Sequence, residues 1–170
     1  MGLIDSGLAT IARLFTEQPP SDALRERILA SATRHGRLDR FAEQVAGLTG
    51  MSRREAEQTL ACLGDPGAWT SSSVPGAAFM TVRAGAGSED TIQGVFRLPA
   101  GVVFPMHEHL GRERVLVLQG SCIDGGCIVR PGDMTDMPAG SRHSFEVRPG
   151  PDLVFLAVLQ RGIRVLNAES

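Results

Sequence analysis

Three histidines and one glutamate lie close together in the second half of the chain. These residues are His107, His109, Glu113 and His143, and the whole sequence has only four histidines. Three imidazoles and a carboxylate form a ligand set that suits a first-row divalent metal ion. We therefore expect these four side chains to bind one metal ion.

The spacing of the four residues supports this expectation. Successive side chains of a strand point to opposite faces, so His107 and His109 should share a face. Glu113 begins an apolar run that is typical of a strand with one inward face. The turn residues Pro138-Ala139-Gly140 should deliver His143 to the start of another strand. The pattern predicts that all four side chains point into one interior.

Two sequence motifs contain these residues. The segment from Gly101 to Gly120 reads G-x5-H-x-H-x3-E-x6-G, and the segment from Gly132 to His143 reads G-x5-P-x-G-x2-H. Both resemble the signature motifs of the cupin superfamily at every fixed position up to His143. The asparagine that often ends the second motif is replaced by Val147. The resemblance implies a mainly β protein with a cupin jelly-roll barrel (a double-stranded β-helix).

Within the cupins, these segments look most like the metal-binding C-terminal domain of ChrR-like anti-sigma factors. The run GVFRLPAGVVFP adds to this similarity, and so does the segment Ala68-Trp69-Thr70, which leads into the predicted barrel. The resemblance implies a sigma factor as the partner of the N-terminal helices, and a response to an oxidant or a small ligand. One departure concerns the N-terminal zinc site of the family, because residues 1–64 offer only His35 and Cys62 for such a site.

The chain changes character near residue 65. Residues 1–64 place apolar side chains at helical spacing and contain a capping box at Ser52, which predicts a small α-helical region. Residues 65–170 contain short runs rich in Val, Leu and Phe that Pro and Gly separate, which predicts a cupin β-barrel domain. The predicted strands are Ala78–Val82, Thr91–Leu98, Glu113–Leu118, Cys122–Val129, Ser144–Val147 and Leu153–Leu159.

Composition narrows the possible functions. The net charge is −2, all 17 basic residues are arginine, and tyrosine is absent. Schiff-base chemistry on lysine is therefore excluded, and a broad nucleic-acid surface is disfavoured. Because no long apolar segment is present, we expect a cytoplasmic protein with no membrane contact. The odd number of cysteines fits a reducing compartment.

The sequence does not determine which metal ion binds or which molecule binds beside it. Four protein ligands could close a tetrahedral zinc site, which we favour, or leave positions open on iron, manganese or nickel. A small-molecule ligand would then bind beside the ion. The candidates for an apolar lining, which could equally be plain core residues, are Phe104, Met106, Met134, Met137 and Phe145.

Two further features predict contacts within or between chains. If the hairpin turn centres on Asp124-Gly125, Cys122 and Cys127 lie opposite each other, either as a redox pair or as two small apolar residues. The apolar strand Leu153–Leu159 needs a cover, which is one reason to expect a homodimer.

Three functions are compatible with these residues. The first is a metal-binding regulatory protein that acts on transcription through a sigma factor. The second is a small metal-dependent cupin enzyme of the dioxygenase or isomerase type. The third is a DNA-binding regulator with a cupin sensor, which ranks last because residues 1–64 carry eight arginines and eight acidic residues and so have no basic stripe.

Overall fold

The computed structural model describes residues 21–23, 38–72, 74–82 and 90–166 of the 170-residue chain. The chain divides into two compact units, Met1–Thr33 and Arg34–Ser170, and every element named below lies in the second unit. The helices predicted before residue 38 lie almost entirely outside the described residues. In the described part of the chain, no helix has the length and apolar character needed to cross a membrane.

Eleven strands in the described residues form two antiparallel sheets. The first sheet has the order β1-β2-β3-β10-β5-β8, and the second has the order β11-β4-β9-β6-β7. The strands are β1 Thr70–Ser71, β2 Ala78–Thr81, β3 Thr91–Leu98, β4 Val103–His109, β5 Glu113–Gln119, β6 Cys122–Asp124, β7 Cys127–Val129, β8 Met134–Met137, β9 Arg142–Val147, β10 Leu153–Gln160 and β11 Ile163–Val165.

The inner faces of the two sheets enclose one core. Side chains of β4, β6, β7 and β9 in the second sheet meet those of β5 and β10 in the first. The buried members of this inner core are Ala77, Leu98, Val117, Cys122, Val147 and Leu153. Two antiparallel sheets closed around an apolar interior are the architecture of a jelly roll, which confirms the fold class expected from the sequence.

In the described part of the chain from residue 38 onward, two α-helices precede the barrel. A 3-10 turn at Asp39–Phe41 leads into α1 (Ala42–Thr49), which ends at Gly50 in the left-handed conformation with φ 75°. Helix α2 (Arg53–Cys62) begins with the predicted capping box. In it, the Ser52 backbone N–H donates to Glu55 Oε2 at 2.7 Å, and the Glu55 N–H donates to Ser52 Oγ at 3.3 Å.

The helices cover the outer face of the first sheet. Their apolar side chains share a second core with β2, β3, β5 and β10, and this core includes Val45 and Leu60 from the helices and Leu116 and Leu156 from the sheet. The sheet also supplies partners for the end of α1. Arg114 donates to the carbonyl of Leu48 at 3.1 Å and Gln93 donates to that of Thr49 at 3.3 Å. These bonds satisfy carbonyls that have no partner inside the helix.

This arrangement corrects one argument drawn from the sequence. Strand β10 lies between β3 and β5 rather than at an edge, and it is buried on both faces. Its outward side chains contact α1 and α2, so the apolar run Leu153–Leu159 finds its cover within the chain. It therefore gives no reason to expect a homodimer, and that expectation stays a prediction. The predicted division at residues 64 and 65 also stays a prediction.

The hairpin of β6 and β7 differs from its predicted register. Its two turn residues are Gly125 and Gly126, both with positive φ, and Asp124 pairs with Cys127. Cys122 therefore lies opposite Val129 and is buried, whereas Cys127 is exposed. The turn lies one residue later than predicted, so the partner of Cys122 is two residues beyond Cys127; the prediction that the two cysteines lie opposite each other was wrong, and both are free thiols.

Candidate metal centre

The structure brings together the four side chains singled out from the sequence. His107 and His109 lie on β4, and His143 on β9 is the direct cross-strand partner of His107. Glu113 is the first residue of β5 and reaches the same point from the other sheet. One potential ligand atom from each residue lies within 4.8 Å of all the others. The two sheets thus meet at a cluster of four possible metal ligands.

The cluster is buried. His107, His109 and Glu113 are only 2%, 1% and 8% exposed, and His143 is half-buried. Buried ionisable groups are rare unless they are paired, hydrogen-bonded or bound to a metal. The cluster therefore needs a specific explanation.

The hydrogen bonds of the three imidazoles explain how each ring is oriented. Nδ1 of His107 lies 2.9 Å from the Pro105 carbonyl, and Nδ1 of His143 lies 2.8 Å from the Asp124 carboxylate. Both acceptors lack a proton, so each Nδ1 must donate. Nδ1 of His109 lies 2.8 Å from Ser141 Oγ, whose own proton goes to the Pro138 carbonyl at 2.6 Å. In its neutral form, each of the three rings therefore presents an unprotonated Nε2.

Two of the three Nε2 atoms, those of His109 and His143, are buried and have no hydrogen-bond partner. Nε2 of His109 also lies 2.7 Å from Glu113 Oε2 without forming a hydrogen bond. When Glu113 is ionised and His109 is neutral, their facing lone pairs repel unless a cation lies between them. The residues present therefore fit a divalent metal ion.

Burial is the main cause of three pKa shifts in the cluster. Desolvation lowers the pKa of His109 to about 4, with a further lowering by the neighbouring His107 and His143. Burial also lowers the pKa of His107 and raises that of Glu113 to about 7. By contrast, the hydrogen bond to Asp124 raises the pKa of His143. A bound cation would favour neutral imidazoles and an ionised Glu113.

Asp124 is a site residue that the sequence analysis missed. Its carboxylate lies on β6, faces the barrel interior and accepts the Nδ1 proton of His143. A carboxylate behind a metal-binding histidine is a common arrangement that fixes the ring. The signal was present in the sequence as Asp124-Gly125-Gly126-Cys127. A turn centred on the two glycines points Asp124 inward, whereas the predicted turn placed it in the loop.

Gly111 allows Glu113 to follow His109 so closely. A Cβ at position 111 would lie 2.4 Å from the carbonyl oxygen of Gln160, at the end of β10. Only glycine permits this approach of the β4–β5 connection to β10. The connection carries the chain from one sheet to the other within three residues.

A cavity of about 250 Å³ adjoins the cluster. His107, Glu113 and His143 contribute to its wall, together with Asp124. Of the five apolar residues proposed as lining, Phe104 and Phe145 line it, with their rings stacked at a centroid distance of 5.1 Å. The other three do not. Met106 and Met134 are 45% and 52% exposed, and half-buried Met137 is absent from the wall.

Arg112, Arg142 and Glu108, which adjoin the cluster residues in sequence, point away from the cluster. Arg112 is exposed and pairs with Asp136. Arg142 pairs with Glu108 at 3.4 Å, on the face of β4 opposite the histidines. Neither arginine reaches the cavity wall.

Comparison with known proteins decides the family. A family model described as the ChrR cupin-like domain matches residues 34–160. The chain belongs to this family. The match includes α1 and α2 as well as the barrel up to β10. No curated protein matches this ChrR cupin-like chain.

Solved structures share the fold at low sequence identity. An RmlC-like cupin protein from Ralstonia eutropha JMP134 is 20% identical, with a TM-score of 0.52 over 58% of this chain and 66% of that chain. An acetylacetone dioxygenase from Acinetobacter johnsonii is 12% identical, with a TM-score of 0.53 over 61% and 74%.

A third structure is the complex of Rhodobacter sphaeroides SigE with the anti-sigma ChrR. The matched chain is 24% identical, with a TM-score of 0.51, and the match covers 68% of this chain and 54% of that chain. This chain therefore spans about half the length of that chain. The cupin fold is shared, while the activities and partners of these proteins remain their own.

Proposed function

We propose that this chain is a metal-binding regulatory cupin. His107, His109, Glu113 and His143 would hold one divalent ion, and the adjoining cavity would admit an oxidant or a small ligand. The observation that carries the metal site is the cluster itself, in which one possible ligand atom from each of the four residues lies within 4.8 Å of the others while a hydrogen bond engages Nδ1 of each histidine. Zinc is the favoured ion because it accepts four such ligands, and iron, manganese or nickel are the alternatives.

The proposed partner is a sigma factor that binds through the N-terminal helices. Membership of the ChrR cupin-like family supports this partner, as does the fold shared with a chain of the SigE–ChrR complex. Because residues 1–64 contain only His35 and Cys62 as nitrogen or sulfur metal ligands, this contact would not depend on a zinc site of the usual N-terminal kind.

Co-purification with alternative sigma factors tests the regulatory proposal. The full chain should form a complex with one of them that survives size-exclusion chromatography, and Glu108→Gln should behave in the same way because Glu108 points away from the cluster. His107→Ala should change the stability of the complex if the metal tunes the contact. Failure to bind any sigma factor of the source organism would contradict the regulatory role and leave the metal proposal intact.

A metal-dependent enzyme is the second candidate. The observation in its favour is the cavity, because a substrate bound there would lie beside three of the four possible ligands. Similarity of fold to a dioxygenase makes oxygen consumption the natural assay. Iron-loaded protein should consume oxygen in the presence of acetylacetone, and His107→Ala should not. Absence of turnover with this and related β-diketones would count against this reaction class.

Duplex DNA remains the least favoured partner. Arg53 begins α2, where a DNA-binding helix would need free positive charge, but it pairs with Glu43 at 2.8 Å and Glu57 at 2.9 Å. Both pairs remove the charge that a phosphate contact would use.

A further inference from the structure

We infer that the barrel cavity selects a small ligand with an apolar body and one oxygen-donor head, and that it rejects ligands with two negative charges. The inference rests on the proposed function, because it places the head group beside the proposed metal ligands. It adds the chemical class of the ligand, which follows from the wall, the charge and the size of the cavity.

The cavity wall divides into an apolar part and one polar end. Apart from the cluster, Asp124 and a few hydroxyl groups, the wall consists of apolar side chains from both sheets. Four phenylalanines form a continuous series in it. The rings of Phe96 and Phe155 stack at 5.4 Å, and those of Phe155 and Phe145 meet edge to face at 6.2 Å. Phe104 continues the series and contacts His107 at 5.0 Å.

A ligand in this cavity must therefore have an apolar body. A sugar or a polyol would lose its hydrogen bonds to water and find few replacements along the phenylalanine wall. An aliphatic or aromatic body would instead gain contact with it. The polar end can accept one head group, since the imidazoles and carboxylates of the wall all belong to the cluster or to Asp124, which contacts it.

The charge of the site limits the head group to a neutral or singly charged oxygen donor. No arginine in the described part of the chain lines the cavity, and the sequence has no lysine. Glu113 is the one carboxylate among the four possible ligands, so a divalent ion bound there would keep one positive charge for an anionic head group, while the Asp124 carboxylate lies behind His143. The arginines nearest the cluster in sequence are held outside by Asp136 and Glu108. A second anionic group would be buried in the cavity without a counter-charge.

The volume limits the body to a small molecule. Apolar protein cavities of roughly 150 Å³ can hold a benzene molecule. The space here is about 250 Å³, so it has room for one ring or a short branched chain together with a head group. Benzoate and hexanoate match these dimensions. Terephthalate and pimelate have the same bodies with a second carboxylate and are the matched doubly charged probes.

Calorimetric titration of metal-loaded protein with these four probes tests the inference. Benzoate or hexanoate should bind, and the corresponding dianion should bind at least about tenfold more weakly, since burying one unpaired charge costs well over 1.4 kcal/mol. Equal binding of a monoanion and its dianion would overturn the inference, and so would binding of neither monoanion to protein that contains the metal. Protein that cannot be loaded with metal would instead contradict the proposed function.

Two variants locate the bound probe. Val115 is half-buried, lines the cavity and should be replaceable, so Val115→Phe should fill the space and abolish binding of the monoanions while metal content is retained. The matched control is Val103→Phe, at a side chain 61% exposed, which should bind as the wild type does. If Val115→Phe does not fold, Ala157→Val makes a smaller change in the same wall. Unchanged affinity in a folded, metal-loaded cavity variant would place the probe elsewhere and overturn the inference.

Discussion

At the residue scale, the pairing of Asp124 with His143 is the interaction most open to a direct test. Nδ1 of His143 lies 2.8 Å from the Asp124 carboxylate oxygen and donates its proton to it. Nε2 of the neutral ring is then free to bind a metal ion. Removing such a partner behind a metal ligand typically weakens metal affinity by about 10- to 100-fold. We expect Asp124→Ala to show a loss of this size in a competition titration with a chromophoric chelator.

A conservative variant, Asp124→Asn, tests whether Asp124→Ala weakens metal binding through the orientation of the His143 ring or through a loss of folding. Asp124→Asn keeps an acceptor for the Nδ1 proton but lacks the charge, so it should recover part of the affinity. Glu146→Gln removes an exposed carboxylate on the outside of β9 and serves as the control. An Asp124→Ala protein that folds normally and binds metal like the wild type would show that Asp124 does not position His143.

Cysteine reactivity tests the observed hairpin register. Cys122 is buried, and burial, together with the nearby Asp124 charge, raises the pKa of its thiol to about 11. Only the thiolate reacts with alkylating agents, so Cys122 should stay unmodified at pH 8 in the folded protein. Cys62 and Cys127 are exposed and should react. Mass spectrometry after iodoacetamide treatment should therefore find two modifications in native protein and three in urea. Rapid modification of Cys122 would refute the register.

At the element scale, the β4–β5 connection is the most constrained part of the site. Gly111→Ala would place a Cβ 2.4 Å from the Gln160 carbonyl oxygen, so the connection must move away from β10. We expect urea unfolding to show a loss of about 1–3 kcal/mol. We also expect weaker metal binding, because Glu113 lies two residues further along.

A second glycine gives a matched control for this variant. Gly47 lies inside α1 with open space around its Cβ position. Gly47→Ala should therefore stabilise the protein by about 0.5–1 kcal/mol, because alanine is a better helix former. A Gly111→Ala protein as stable as the wild type would show that the connection is not constrained in this way.

Strand bounds could be predicted well where an apolar run lies between turn residues. Strand β3 has the predicted bounds, and β5 and β10 extend one residue beyond theirs. The four cluster residues were found because motif spacing fixes their faces. The hairpin register was not determined, because Asp124-Gly125 and Gly125-Gly126 are both good turn centres. Pairing of β6 with β9 decides between them, and that contact is not visible in the local sequence.

At the scale of the whole molecule, α1 and α2 share the second core with the outer face of the first sheet. Sequence periodicity identified the apolar faces of α2 and β10, but it could not show that these faces meet. Leu60 on α2 is 2% exposed and belongs to the same cluster as Leu156 on β10. We therefore expect α1, α2 and the barrel to unfold together.

Substitution of Leu60 tests this cooperativity. Leu60→Ala should lower the free energy of unfolding by about 2–5 kcal/mol, through lost burial and the cavity left behind. Circular dichroism and Trp69 fluorescence should report the same single transition. Gln58→Ala, at an exposed position of α2, should have almost no effect. Two separate transitions in the Leu60→Ala protein would show that the helices are an independent unit.

The metal content of protein purified without added metal tests the central claim most directly. Elemental analysis should find about one equivalent of a divalent metal in the wild type, since four ligands from one chain form one site. Glu108→Gln, on the opposite face of β4, should retain the metal, and His107→Ala should lose it. A His107→Ala protein that keeps the metal, or a wild-type protein that neither contains a divalent ion nor can be loaded with one, would contradict the account.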